Sequence, residues 1–94
     1  MNKEKFKAKA NQTIDEVSAK INELKAKKES ASGDVKSKYD EAIKDLESKK
    51  SDLKSKYAKL ENAAEDKWEE AKNAFSSASD SFNEGFNKLK SLFS

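Results

Sequence analysis

The side chains of this 94-residue sequence that could carry catalysis or bind a metal are its carboxylates and lysines, because it contains no His, Cys or Arg. The densest acidic group consists of Glu65, Asp66, Glu69 and Glu70, whose i, i+4 spacing stacks carboxylates along one side of a helix. A calcium site needs about six to eight oxygens converging from a loop, and a di-iron bundle needs His ligands. We therefore interpret the group as solvated helix surface and predict neither a metal site nor a cofactor.

Lysine could act as a nucleophile only in a desolvated pocket that lowers its pKa. The chain holds 20 large apolar residues (Val, Ile, Leu, Met, Phe, Trp and Tyr), which is too few for a thick core at this size. The sequence therefore predicts that the protein is not an enzyme and has no catalytic residue.

The charges and hydropathy exclude further classes of partner and location. The N-terminal Lys3, Lys5, Lys7 and Lys9 scatter around a helix, and a chain without Arg lacks bidentate readout of guanine, so we expect no specific nucleic-acid partner. No stretch approaches the ~18 consecutive apolar residues of a membrane span. The opening residues also lack the apolar segment of a secretory signal, and we expect a cytoplasmic protein.

The composition favours helices. Charged residues make up 40% of the chain, Ala occurs 12 times, and two Gly and no Pro leave few helix breakers. Leu, Ile, Val and Phe together number 16, a level typical of disorder when the net charge is high. The net charge is only +2, however, and the apolar residues recur at helical spacing. We predict an all-α fold, with disorder in isolation as the alternative.

The strongest break in the helical pattern is the run Ser30-Ala31-Ser32-Gly33-Asp34. Gly33 can adopt the left-handed conformation that ends one helix, and Asp34 can cap the next. Apolar stripes lie on both sides of this turn, Ile14, Val17, Ile21 and Leu24 before it and Val35, Tyr39, Ile43, Leu46, Leu53, Tyr57 and Leu60 after it. Reversal at Gly33 brings these stripes into register, which predicts an antiparallel helical hairpin or coiled coil.

The same pattern predicts one helical domain with a long second helix. We expect helix 1 over about residues 5–31, a turn at about 32–33, and helix 2 over about 34–75, continuing or kinking as far as about 93. Asn62 with Glu65, and Ser81 with Glu84, resemble helix caps at which helix 2 could break. A break would let the last third of the chain return along the hairpin, so a three-helix bundle is the alternative fold.

The last third of the chain carries an aromatic stripe that a straight hairpin leaves uncovered. This stripe must fold back, self-associate or meet another surface. We predict a non-enzymatic structural or interaction protein that binds its own copies or another helical protein through the stripe. The expected anchors are Trp68, Phe75, Phe82, Phe86 and Leu89, and the stripe extends to Phe93.

A lipid surface, or stress protection by an amphipathic helix, is the alternative function. Aromatic residues along one side of a helix are typical of a helix that lies in a membrane interface. Residues 62–94, however, carry four Lys against six acidic residues, whereas interfacial helices usually present Lys and Arg on the polar face. A membrane surface is therefore the weaker of the two partner hypotheses.

The chain resembles a family of small bacterial coiled-coil proteins of unknown function and similar length. The resemblance rests on the runs Tyr39-Asp40-Glu41-Ala42-Ile43-Lys44-Asp45-Leu46-Glu47-Ser48-Lys49-Lys50, Lys59-Leu60-Glu61 and, most specifically, Asp66-Lys67-Trp68-Glu69-Glu70-Ala71-Lys72. It covers nearly the whole chain and implies a helical hairpin without an assigned activity. Where some relatives carry a second Trp, this chain has Phe75 and Phe82. A looser similarity to late-embryogenesis-abundant and apolipoprotein-type helices rests on the Lys, Ala and Glu content.

Overall fold

The computed structural model describes residues 3–93, with side chains up to residue 91. Helix α1 spans Lys3–Ser30, α2 spans Gly33–Glu61 and α3 spans Trp68–Phe93, and a 3-10 turn at Glu65–Lys67 leads into α3. The three helices pack against one another, and the described residues form no strand. The predicted all-α class is confirmed. The side chain of Phe93, placed on the aromatic stripe by its spacing, lies outside the described part.

The turn between α1 and α2 depends on a glycine. Gly33 has a φ of 61°, in the left-handed region that L side chains rarely adopt. The N–H of Ala31 donates to the carbonyl of Lys28 at 3.1 Å, which closes the end of α1. The N-cap position falls on Ser32, whose side chain makes no capping hydrogen bond. Asp34, expected as the cap, lies instead in the first turn of α2, where a carboxylate interacts favourably with the helix dipole.

Helices α1 and α2 run antiparallel and bury their apolar stripes against each other. Two ion pairs lie across this seam, Lys28 with Asp40 at 2.6 Å and Lys25 with Glu47 at 2.8 Å. The first pair agrees with the register that reversal at Gly33 produces, and the second is offset from that register by about one helical turn. The buried residues of the two helices are Ala10, Ile14, Val17, Ile21, Leu24, Ile43, Leu46, Leu53 and Leu60.

The prediction of a long second helix is wrong, because α2 ends at Glu61. The side-chain amide of Asn62 donates to the carbonyl of Ala58 at 2.9 Å, and the N–H of Ala63 turns back to the carbonyl of Leu60 at 3.3 Å. Ala64 is then extended, with a ψ of 163°. Asn competes for backbone hydrogen bonds and favours helix ends, so the break falls here, while residues 76–81 remain helical within α3.

Helix α3 returns along the other two helices with its aromatic side inward. Phe82 is fully buried, and Tyr57 of α2 meets Phe75 edge-on with ring centroids 6.5 Å apart. Near the other end of the seam α3 comes close to α2 at Gly85, where a Cβ would lie 3.5 Å from Cδ2 of Leu46. The result is an elongated molecule 51 Å long and 17 to 19 Å across.

Candidate interaction surface

The five predicted anchors lie in or against the core of the same chain. Trp68, Phe75, Phe82 and Leu89 are buried, and Phe86 is partly buried against them. Over the described side chains, the aromatic stripe that was expected to need a partner is therefore covered by α1 and α2, because the chain breaks after Glu61 and folds back. Trp68 at 8% exposed, Phe75 at 3% and Phe82 at 0% each offer a partner little surface unless α3 moves away.

The first turn of α1 covers Trp68, and we call Lys3 and Phe6 the N-terminal clasp. Phe6 meets the ring of Trp68 edge-on at 5.9 Å and that of Phe75 at 6.3 Å. Nζ of Lys3 lies 5.4 Å from the Trp68 ring centroid and 2.8 Å from a carboxylate oxygen of Glu65. The hydrogen bond from Lys3, followed by its positive charge, lowers the pKa of Glu65. The clasp thus joins the start of α1 to the start of α3.

A groove remains between α1 and α3, because both helices pack closely on α2 but meet each other mainly through side chains. We call it the α1–α3 groove, and it contains two openings. The first, of about 330 Å³, is lined by Phe6, Ala10, Thr13 and Phe75 among others. The second, of about 420 Å³, is lined by Leu24, Tyr39, Phe86 and Leu89 together with charged residues. Three predicted anchors, Phe75, Phe86 and Leu89, therefore line the groove.

The charged residues at the two openings differ in sign. The first opening carries Lys9, Glu16 and Asp80, so acidic residues predominate. The second carries Glu23 and the three lysines Lys20, Lys27 and Lys90. Within the second opening, Nζ of Lys20 lies 5.1 Å from the Phe86 ring centroid, which places a cation over an aromatic face. The groove is thus apolar at its floor and oppositely charged at its two ends.

The acidic group singled out from the sequence does not converge on a common point. Glu65 pairs with Lys3, Glu69 pairs with Lys72 at 3.1 Å, and Glu70 lies 3.9 Å from Lys67. Among the described residues, no group of acidic side chains is arranged to hold a metal ion, and no polar or charged residue is buried. Over the same residues, no helix has the length and apolar character needed to cross a bilayer.

Among the described residues, four pairs of an acidic residue and a lysine spaced i, i+4 form ion pairs along α1 and α2. They are Glu23 with Lys27 and Asp40 with Lys44 at 3.6 and 3.4 Å, and Asp45 with Lys49 and Asp52 with Lys56 at 2.9 and 3.4 Å. Asp40 also accepts a hydrogen bond from Lys28, which is the main reason that the pKa of Asp40 is lowered. These pairs, each with at least one exposed side chain, add modest support to helicity.

Sequence reasoning missed the groove and the role of Phe6 in covering Trp68. Both depend on α3 lying beside α1, which follows only if the chain breaks at Asn62. The available signals were the cap-like Asn62 and the continuation of the α1 stripe through Ala10 to Phe6. Comparison of this chain with protein-family models, curated proteins and solved structures found no match.

Proposed function

We propose that this protein is a non-enzymatic structural and interaction module, a three-helix bundle that binds a second copy of itself through the α1–α3 groove. The observation that carries the proposal is the groove itself, which leaves Phe75, Phe86 and Leu89 lining two openings. An apolar floor between two parallel helices is the surface that a further helix occupies in helical bundles and helix-in-groove complexes. Of the five residues predicted as binding anchors, the proposal retains those that line the openings.

A three-helix bundle accounts for the contacts better than a hairpin with a free tail. Helix α3 touches α2 through Tyr57 and Phe75, and it touches α1 at two levels through Phe6 with Trp68 and Lys20 with Phe86. These contacts are spread along most of α3. They support a bundle in which α1 and α3 point the same way and α2 points the opposite way.

Charge complementarity favours a second copy as the occupant of the groove. A twofold axis perpendicular to the groove would place the first opening of one copy opposite the second opening of the other. Glu16 and Asp80 of each copy would then face Lys20, Lys27 and Lys90 of its partner. Exposed charges contribute little affinity individually, but complementary ends select an antiparallel arrangement over a parallel one.

The association is expected to be weak. The floor residues Ala10 and Phe75 are only 2% and 3% exposed, and Val35 is the exposed large hydrophobic residue of the described part. A dimer through this groove would bury less than the ~800 Å² per partner of a standard interface. We therefore expect a dissociation constant of about 0.1 mM at low ionic strength, weakening with added salt.

Sedimentation equilibrium of charge-reversal variants tests the proposal. Asp80→Lys and Lys90→Glu should each weaken the dimer about tenfold. The double variant should restore it, because Lys at position 80 of one copy then faces Glu at position 90 of the other. The control is Lys54→Glu, which reverses an exposed α2 lysine that does not line the groove. A chain that stays monomeric up to about 1 mM, or a control that weakens association equally, would contradict the proposal.

Crosslinking tests the antiparallel orientation, since the chain contains no native Cys. Lys9→Cys and Lys27→Cys place single thiols at the first and second openings. Mixed together under mild oxidation, the two variants should form the mixed disulfide dimer faster than either variant alone forms its own. Faster crosslinking of each variant with itself would indicate a parallel dimer and reject this arrangement.

A further inference from the structure

A separate cavity lies on the side of α3 that faces α2, where the chain crosses from one helix to the other. It has a volume of about 310 Å³, and its floor consists of Ala63, Ala71 and Ala74. We call it the alanine pocket. None of its lining residues belongs to the openings of the α1–α3 groove, so binding in this pocket does not require self-association.

The pocket exists because three methyl side chains meet where larger ones fill the rest of the seam. Farther along the interface between α2 and α3, Leu53 and Phe82 are 0% exposed. Ala63 belongs to the segment that follows the end of α2, and Ala71 and Ala74 are partly buried in the first turns of α3. The floor at this end is therefore hydrocarbon, and the space above it is not filled by the chain.

Three lysines and one carboxylate, that of Glu70, form the rim of the alanine pocket. Lys56 is engaged by Asp52 at 3.4 Å, and Lys67 lies 3.9 Å from Glu70, near the limit of an ion pair. Among the described residues, no carboxylate lies within ion-pair distance of Lys59, the third lysine of the rim. The rim therefore presents one uncompensated ammonium and one weakly paired ammonium beside an apolar floor.

We propose that the alanine pocket binds a single-chain anionic amphiphile, such as a short fatty carboxylate. The carboxylate would pair with Lys59 and Lys67, and the alkyl chain would lie against Ala71 and Ala74. A volume at the lower end of the ~300–1,000 Å³ found for ligand pockets suits one short alkyl chain rather than a two-chain lipid. Binding requires both the carboxylate and the alkyl chain. An isolated exposed ammonium binds a carboxylate weakly, and the small alanine floor alone would bind an alkyl chain weakly.

Isothermal titration of the full chain with three probes tests the ligand chemistry. Decanoate should bind saturably with one equivalent, below the concentration at which it forms micelles. Acetate, which has the head group without the chain, should show no saturable binding. Decyltrimethylammonium, which has the chain with the opposite charge, should bind at least tenfold more weakly. Equal binding of the two long-chain probes, or no saturable binding of decanoate, would overturn the proposal.

Variants locate the binding to the alanine pocket. Lys59→Gln should weaken decanoate binding about fivefold, whereas Lys54→Gln, which removes the same charge elsewhere on α2, should leave it unchanged. Ala74→Leu should fill the pocket and abolish binding, while Ala58→Leu at an exposed α2 position should not. Because Lys59 is exposed, its replacement should leave the fold intact. Binding that survives Ala74→Leu in a folded chain, or that Lys54→Gln weakens equally, would overturn the assignment.

Discussion

At the scale of single residues, the two glycines of this chain serve different purposes. Gly33 has a positive φ, and a Cβ added there would meet no other atom within 4 Å. Gly85 lies inside α3, where a Cβ would lie 2.9 Å from Nζ of Lys49. The first glycine is required by the backbone, whereas a Cβ at the second would meet only the side chains of Lys49 and Leu46, so alanine should affect stability in opposite directions at the two sites.

Gly33→Ala should lower the free energy of unfolding by about 1 to 2 kcal/mol, the cost of placing an L residue in the left-handed region. Urea denaturation followed by circular dichroism measures the change. The control is D-alanine at position 33 in a synthetic chain, which adds the same methyl group with the handedness that favours a positive φ. The backbone explanation fails if the D and L variants are equally destabilised.

Gly85→Ala should raise the free energy of unfolding by about 0.5 to 1 kcal/mol, because Ala is the better residue in a helix interior. The atom in the way is the end of the Lys49 side chain, which is flexible and can move aside, and Leu46 is at ordinary contact distance. The same urea denaturation measures this change. A loss of stability would show that Lys49 cannot move without breaking its 2.9 Å pair with Asp45.

At the scale of helices, the N-terminal clasp connects the first turn of α1 to the first turn of α3. Phe6→Ala should remove the edge-on contacts with Trp68 and Phe75 and lower stability by about 2 kcal/mol, less than for a fully buried ring. Trp68 is the only Trp in the chain, so its fluorescence should shift to longer wavelength in the folded variant. Lys7→Ala, at a partly buried position of the same helix, is the control. An unchanged spectrum would contradict the placement of Phe6 over the indole.

The apolar spacing predicted helices on both sides of Gly33, and the structure has α1 over Lys3–Ser30 and α2 beginning at Gly33. Ile14, Ile21, Leu46 and Leu53 are buried where the two stripes were expected to meet. The end of α2 could not be predicted in the same way, because Asn62 and the serine patch at 76–81 are both regions of weak helix propensity. Packing decides between them: a break at Asn62 lets the aromatic side of α3 return along the hairpin and bury Phe82.

The candidate site was predicted only in part for the same reason. Phe75, Phe86 and Leu89 were named as binding residues because a straight second helix would expose the whole stripe. In the structure they line a groove, while Trp68 and Phe82 are enclosed. Which residues of the stripe line an opening depends on how far α1 and α3 stand apart, and sequence spacing within one helix carries no information on that distance.

At the scale of the whole molecule, one thin seam of side chains runs the length of a 51 Å rod. Phe82→Ala should cost about 3 to 5 kcal/mol, a large fraction of the ~5 to 15 kcal/mol available to a small domain. Thermal unfolding should therefore shift to lower temperature by the same amount for helicity and for the fluorescence of Trp68, about four helical turns away. The control is Asn83→Ala, which changes the next residue, an exposed one, and should have little effect. Separate transitions for the two probes would contradict a single cooperative unit.

The described core holds no buried polar side chain, and this bears on how the helices keep their alignment. Two helices that pack through a purely apolar seam with heptad spacing can shift along each other by one repeat, about 10 Å, and still bury apolar residues against apolar residues. Here the linker of two residues between Ser30 and Gly33 is too short for such a slide. The short linker therefore fixes the register, as a buried polar residue does in many coiled coils. A flexible insertion between Ser30 and Gly33 should produce several coexisting registers rather than one register with weaker packing.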